Sequence, residues 1–407
     1  MEVAKRLDGI GEYYFSQKLR EIDNLNKQGK QVINLGIGSP DRPPHPNVIK
    51  ELNEQSLLPT VHAYQSYKGS SQLRNAISTW YKKSYNVTLD PESEILPLIG
   101  SKEGIVHLCM TFLNEGDAVL VPNPGYPTYR SAVMLAGAGI IEYNLVEEKN
   151  WFPDFDELGK TVRAHGKIKL MFVNYPHMPT GKLPTRDLFK QIVNFGREYG
   201  ILIVHDNPYS FILNEEPMSL LEADEEKEVV IELNSLSKSH NMAGWRVGML
   251  VGAKERVDQV LRFKSNMDSG MFLPVQLAAA KALTLGKEWN NEVNNVYQKR
   301  RQKVFSLLDI LHCTYDIRQG GLFVWAAIPD AYKDGYDLSD EVLYNAGVFI
   351  TPGGIFGDAG RRYVRVSLCA NEEKIDEAIK RVAQNITVGL RMGNEINSVH
   401  KNGIKGR

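Results

Sequence analysis

Cysteine is scarce in this chain. Cys109, Cys313 and Cys369 stand singly in apolar surroundings, without the even count or close spacing of a disulfide framework or a zinc site. They read as buried, reduced thiols, and no metal centre is expected from them. No apolar run approaches the roughly 20 residues needed to cross a bilayer, and Met1 to Lys18 lacks the basic-then-apolar pattern of a signal peptide. A soluble, cytoplasmic protein is the expectation. An excess of charge is missing too: 48 lysines and arginines nearly cancel 49 aspartates and glutamates, leaving a net charge of -1. No global field draws the chain to nucleic acid or an anionic membrane, so its partners should be small molecules. Internal repeats and low-complexity stretches are also absent.

What is present is a large apolar fraction. With 407 residues and 43% hydrophobic content the chain can bury a substantial core, enough for two domains. Short apolar runs recur between helical patterns at Ala118 to Val121, Lys167 to Val173, Ile201 to Val204, Val229 to Leu233 and Val247 to Val251. This alternation predicts an α/β domain whose mostly parallel sheet is covered on both faces, with ligands bound beyond the carboxyl ends of the strands. Leu277 to Leu285 reads as a helix leading into a longer one over Trp289 to Leu311. Gly320 to Ala326 and Tyr363 to Leu368 follow as strands of a smaller α/β domain. The polar end from His400 to Arg407 reads as frayed.

The most informative segment is Ser235-Leu-Ser-Lys238-Ser-His-Asn-Met-Ala-Gly244-Trp-Arg246-Val-Gly248, directly after a predicted buried strand. A lysine placed there sits near the sheet's carboxyl edge, where partial desolvation favours the neutral amine that captures a carbonyl as an imine. Ser235 and Ser237 hydroxyls and the Arg246 guanidinium suit a phosphate. Taken alone, Lys238 reads as an ordinary loop lysine, and its context must supply the rest. Leu98-Ile-Gly100-Ser101-Lys102-Glu103-Gly104 puts small residues at a strand-to-helix turn, where free NH groups and the helix dipole favour an anion. His205-Asp206-Asn207-Pro208-Tyr209 ends a buried strand, and Asp206 is readable there as a helix cap.

Ser-x-x-Lys with an arginine eight residues on, inside Gly-Trp-Arg-Val-Gly, resembles the cofactor-lysine signature of class I/II aminotransferases of the fold-type I pyridoxal-phosphate family. The resemblance runs from Gly36 to Ser367. It implies a large domain with a mostly parallel seven-stranded sheet between helices (46–280), and a smaller α/β domain built from both chain ends. Residues 1–45 would form the N-terminal arm and part of that small domain, and 281–407 its C-terminal part. It implies pyridoxal 5′-phosphate as cofactor, held through Lys238. Asp206 would pair with the pyridine nitrogen and so keep the ring an electron sink, Tyr209 would donate to the phenolic oxygen, and Tyr126 would stack on the ring. Ser101, Lys102, Asn174, Ser235, Ser237 and Arg246 complete the expected cofactor contacts. Tyr64 resembles the tyrosine that reaches the phosphate of a neighbouring subunit, which implies a homodimer with shared sites.

For the substrate, Arg365 in Tyr363-Val-Arg365-Val-Ser367 is assigned to the α-carboxylate, with Gly38 of Leu35-Gly-Ile-Gly38-Ser-Pro-Asp41 offering backbone to the same group. Tyr13, Tyr14 and Lys102 are the candidates for side-chain recognition. The nearest likeness is to the branch containing enzymes for LL-diaminopimelate, alanine and aspartate, which makes glutamate and 2-oxoglutarate an expected common pair. One departure stands out: in Asn174-Tyr-Pro-His177-Met178-Pro-Thr-Gly181 the family's second asparagine, a donor to the phenolic oxygen, is replaced by Met178. A thioether donates nothing, so the phenolate would rest on Tyr209 unless His177 or Asn174 reaches in. A pyridoxal-phosphate lyase shares the same lysine and arginine and is the rival reading. A cofactor-sensing regulator is the other, but only about 30 residues precede Gly36, too few for a winged helix.

Overall fold

The computed structural model describes residues 2–387, so the tail from His400 to Arg407 lies outside the described residues. At its centre is a seven-stranded sheet in the spatial order Ile95–Leu98, Gly248–Gly252, Val230–Ser235, Leu202–Asp206, Ile168–Val173, Ala118–Asn123 and Gly139–Asn144. All pairings are parallel except those of Gly248–Gly252, which runs antiparallel to both neighbours. The expected mostly parallel sheet is therefore present, and each apolar run noted in the sequence falls on a strand. The outer strand Gly139–Asn144 was not anticipated: as a half-exposed edge it carries no continuous apolar run.

Alternate residues of each strand enter separate cores, as the two-residue period of a strand requires. Leu120, Met171, Ile203 and Val230 face one cluster, and Val119, Leu170, Leu202 and Ile231 face the other. Helices Ser101–Phe112, Pro127–Leu135 and Lys254–Lys264 pack on the second face. A sheet buried on both sides in this way has only its strand ends open to a ligand.

A three-stranded antiparallel sheet, with Tyr363–Ser367 between Thr351–Pro352 and Phe323–Ala327, lies against the long helix Lys287–Ile310 and helix Gly335–Ala346. The N-terminal segment joins this part. Ile33–Asn34 pairs in parallel with Val348–Phe349, Leu35 N–H donates to Phe349 O at 2.8 Å, and Ser367 N–H donates to Leu35 O at 2.7 Å. Gly36 to Gly38 are thereby laid beside Arg365. Among the described residues no helix is long and apolar enough to cross a membrane. All three cysteines are buried and unpaired, as expected.

Candidate active site

Five chain segments end at one edge of the large sheet and enclose a cavity of about 660 Å³. Strand Ile95–Leu98 delivers Ser101 and Lys102, Ala118–Asn123 delivers Tyr126, Ile168–Val173 delivers Asn174, Leu202–Asp206 delivers Asp206 and Tyr209, and Val230–Ser235 delivers Ser235, Ser237 and Lys238. Gly38, Arg246 and Arg365 close the remaining side. Residues scattered over most of the sequence meet here because parallel strands present their carboxyl ends on one edge.

Lys238 does not sit in a loop. It belongs to a single helical turn, Leu236–Ser239, whose first N–H groups are capped by the Ser235 hydroxyl, which accepts from Ser237 N at 3.1 Å. Its ammonium donates to Gly38 O at 2.5 Å. Burial pushes the amine below its ordinary pKa, opposed by Cys369, with Arg365 and Arg246 adding to the depression. Asp206 is almost fully buried. Its Oδ2 accepts from the Tyr129 hydroxyl at 2.8 Å, while Oδ1 is buried with no hydrogen-bond partner. Desolvation pushes its carboxyl up to about 6, against the Tyr129 hydrogen bond, which lowers it. A buried carboxylate oxygen without a donor is costly unless a cationic N–H arrives to meet it.

Arg365 mirrors that vacancy in charge. It is buried, donates from Nη2 to Gly36 O at 2.8 Å, and lies 3.8 Å from the Phe323 ring and 4.6 Å from the Phe356 ring. Its Nε has no partner, and Nη1 meets only the Met178 sulfur at 3.2 Å. Burial is the main cause that pushes it down to about 10, with Tyr209 opposing. Among the described residues no carboxylate neutralises it, so an anion entering the cavity would find a dry, waiting cation.

At the opposite side, Gly100 adopts φ +81°, and a Cβ there would lie 2.2 Å from Arg246 Nη2. Only glycine lets the guanidinium close over the start of helix Ser101–Phe112. Gly100→Ala is expected to displace Arg246 and forfeit a charge-assisted contact of about 1.5 to 3 kcal/mol, weakening pyridoxal-phosphate binding roughly 10- to 150-fold. Equilibrium titration followed by absorbance checks this, and an unchanged Kd would remove Arg246 from the anion cup.

The structure also separates neighbours that the sequence grouped. Tyr13 lines the cavity with Lys102 Nζ 4.9 Å above its ring, whereas Tyr14 opens helix Tyr14–Lys27 and turns away onto Tyr336, 6.5 Å between centroids. Tyr14 is thus not placed to touch a substrate in the cavity. Tyr64 is 94% exposed and stays outside this chain's cavity. His177 does not reach in: its Nδ1 lies 2.8 Å from the Thr180 hydroxyl, and burial pushes it down to about 3. Asn174 lines the cavity, but its amide braces the backbone, donating to Asp206 O at 2.6 Å and accepting from Met178 N at 2.7 Å. Sequence reading missed Tyr129 and the aromatic cage of Phe15, Phe323 and Phe356 around Arg365. Nothing in the sequence marks these as anything but core.

A lysine with a depressed pKa, an orphaned carboxylate oxygen at a strand end and an anion cup across the cavity fit pyridoxal phosphate, and together with the sheet they define a fold-type I enzyme of that cofactor. The comparisons agree. Residues 30–382 match the model of the family described as aminotransferase class I and II. The LL-diaminopimelate aminotransferase of Halothermothrix orenii is 38% identical over 94% of this chain and 98% of its own, and that of Oleidesulfovibrio alaskensis is 39% identical over the same shares. A substrate-bound structure of BacF from Bacillus subtilis superposes with a TM-score of 0.89 at 36% identity, covering 94% of this chain and 98% of that one. Thermus thermophilus aspartate aminotransferase shares the fold at 23% identity and a TM-score of 0.87. The chain belongs to the class I and II aminotransferases and is a pyridoxal-phosphate-dependent transaminase.

Proposed function

We propose that the enzyme moves the amino group of an L-amino acid to 2-oxoglutarate, with LL-diaminopimelate, aspartate or alanine as candidate donors. The observation that carries the α-amino-acid reading is Arg365, a buried cation without a counter-ion that shares one cavity with Lys238. Bound pyridoxal phosphate supplies an aldehyde that captures amino groups and a ring that draws electrons from Cα. Lys238 would hold the cofactor at rest and would carry the proton that leaves the substrate Cα. Burial lowers its pKa, a shift in the direction that both tasks need. Asp206 Oδ1 would accept the ring N–H, while Tyr129 holds the other carboxylate oxygen in place. Arg365 fixes the α-carboxylate through a two-point contact, and that orientation selects the bond at Cα that breaks.

Lys102, whose ammonium lies over the Tyr13 ring, offers a second positive charge for an acidic side chain or a distal carboxylate. The names of the relatives and this second cation together favour dicarboxylic partners. A cytoplasmic homodimer belongs to the same proposal: the exposed Tyr64 is free to enter a second copy's site, and unpaired buried thiols suit a reducing compartment. The test is a screen of donors against 2-oxoglutarate, reading glutamate and the matching keto acid. Glutamate should form with at least one of LL-diaminopimelate, aspartate or alanine. Ammonia released without any acceptor would overturn the transfer reading.

Met178 makes the site unusual and testable. With a thioether in the position of a donor amide, the anionic phenolic oxygen of the cofactor loses one hydrogen bond, and the protonated form of the loaded chromophore is favoured. Met178→Asn should therefore lower the pH midpoint of the visible absorption change by about one unit, a typical effect of one hydrogen bond to the charged form. A spectroscopic titration reads this directly, and an unmoved midpoint would show that Met178 does not face the phenolic oxygen.

A further inference from the structure

We infer that Glu103, His107 and Asp268 form a binding site for one divalent transition-metal ion of the Zn²⁺ or Mn²⁺ kind, distinct from the cofactor cavity. Glu103 and His107 lie one turn apart on helix Ser101–Phe112, and Asp268 follows helix Lys254–Lys264. None of the three lines the cofactor cavity. The His107 ring is completely buried, yet neither ring nitrogen makes a hydrogen bond. Its Nε2 lies 3.2 Å from Glu103 Oε1 and 3.8 Å from Asp268 Oδ2, and the three donor atoms fall within 4.8 Å of one another. An ion about 2.0 to 2.2 Å from each nitrogen and oxygen requires donors a little over 3 Å apart, a spacing that His107 and Glu103 have and that Asp268 approaches.

The surrounding contacts point the same way. Each carboxylate has one oxygen clamped and one turned to the histidine. Glu103 Oε2 accepts from Ile99 N–H at 2.6 Å, and Lys264 donates to Asp268 Oδ1. Asp268 Oδ2 is buried and accepts no hydrogen bond. Outer donors that hold one carboxylate oxygen while the other faces inward are the pattern that orients metal ligands. Charge agrees as well: two carboxylates and one lysine leave an uncompensated negative charge in a largely enclosed place. The Phe263 ring packs 5.3 Å from the imidazole and holds its plane. One imidazole with two carboxylates suits Zn²⁺ or Mn²⁺ better than Ca²⁺ or Mg²⁺, which prefer all-oxygen sets.

An ion there would tie the helix that begins with Ser101 and Lys102 to the segment after Lys264, bracing the anion cup from behind. The test uses the cofactor-loaded enzyme, stripped with a chelator and titrated with Mn²⁺ while the electron paramagnetic resonance signal of free Mn²⁺ is followed. One ion should bind per chain, Zn²⁺ should displace it, and Mg²⁺ should not. His107→Gln and Asp268→Asn should abolish binding, and Lys264→Met should weaken it about 10- to 100-fold, as loss of an outer partner does. Pulsed resonance on the wild type should show coupling to an imidazole nitrogen, a readout that needs no variant to fold and excludes Mn²⁺ held by the cofactor phosphate. Absence of stoichiometric binding, absence of nitrogen coupling, or unchanged binding in both ligand variants would overturn the site.

Discussion

Lys238→Ala is expected to lower turnover by on the order of 10⁴-fold or more, because one substitution removes both the anchoring amine and the group that moves the Cα proton. Pre-steady-state absorbance with a single amino donor checks this. The wild type should convert its visible band within one turnover, while the variant should lack the wild-type resting band and show no comparable conversion. Lys238→Arg separates the two properties of the side chain. It keeps a cation where Lys238 Nζ meets Gly38 O, but a guanidinium neither condenses with an aldehyde nor releases a proton near neutral pH. Activity recovered by Lys238→Arg would mean that charge alone is needed, and the assignment would fall. Fold stability should not drop in Lys238→Ala, since the amine is held against its preference in a desolvated place.

The second large effect falls on Arg365. Arg365→Leu removes a buried guanidinium whose donors face the cavity without a carboxylate of the protein's own. Losing a desolvated charged partner costs about 2 to 5 kcal/mol, so kcat/KM for α-amino acids should fall roughly 30- to 5,000-fold. The loss should follow the α-carboxylate. A primary amine without that group should react equally slowly with wild type and variant, and a comparable loss with such an amine would show that Arg365 supports the cofactor or the fold instead. Lysine in its place should recover little, because a point charge cannot reproduce a two-point contact.

How much of this was readable without coordinates depended on what each residue does. Lys238, Asp206, Tyr126 and Ser101 were legible because each follows an apolar run, and in a parallel sheet the residue after a buried strand must emerge at the ligand edge. Tyr129 was not, because its function is a single hydrogen bond delivered from a helix that otherwise packs as core. The same is true of Phe323 and Phe356, core aromatics whose rings pack against the Arg365 guanidinium. Tyr13 and Tyr14 show the limit most plainly: adjacent tyrosines are equivalent in sequence, and only the turn into the helix sends one to the cavity and the other to Tyr336. The edge strand Gly139–Asn144 escaped because half-exposed strands carry a diluted hydrophobic signal. Glu103 and His107 were in view within the anion-cup helix, but their third member comes from a distant segment that no spacing rule connects.

The seam between the two ends of the chain has a consequence for biosynthesis. Leu35 bonds to Phe349 and Ser367, Gly36 accepts from Arg365, and Gly38 accepts from Lys238. A ribosome releasing this protein in order therefore makes its first strand long before the partners of that strand exist. Contacts of such sequence separation form late and slowly. The nascent chain can complete its large sheet and its anion cup while its amino end is still without a docking place, and it stays catalytically blank until the strand around Arg365 has emerged and captured that end.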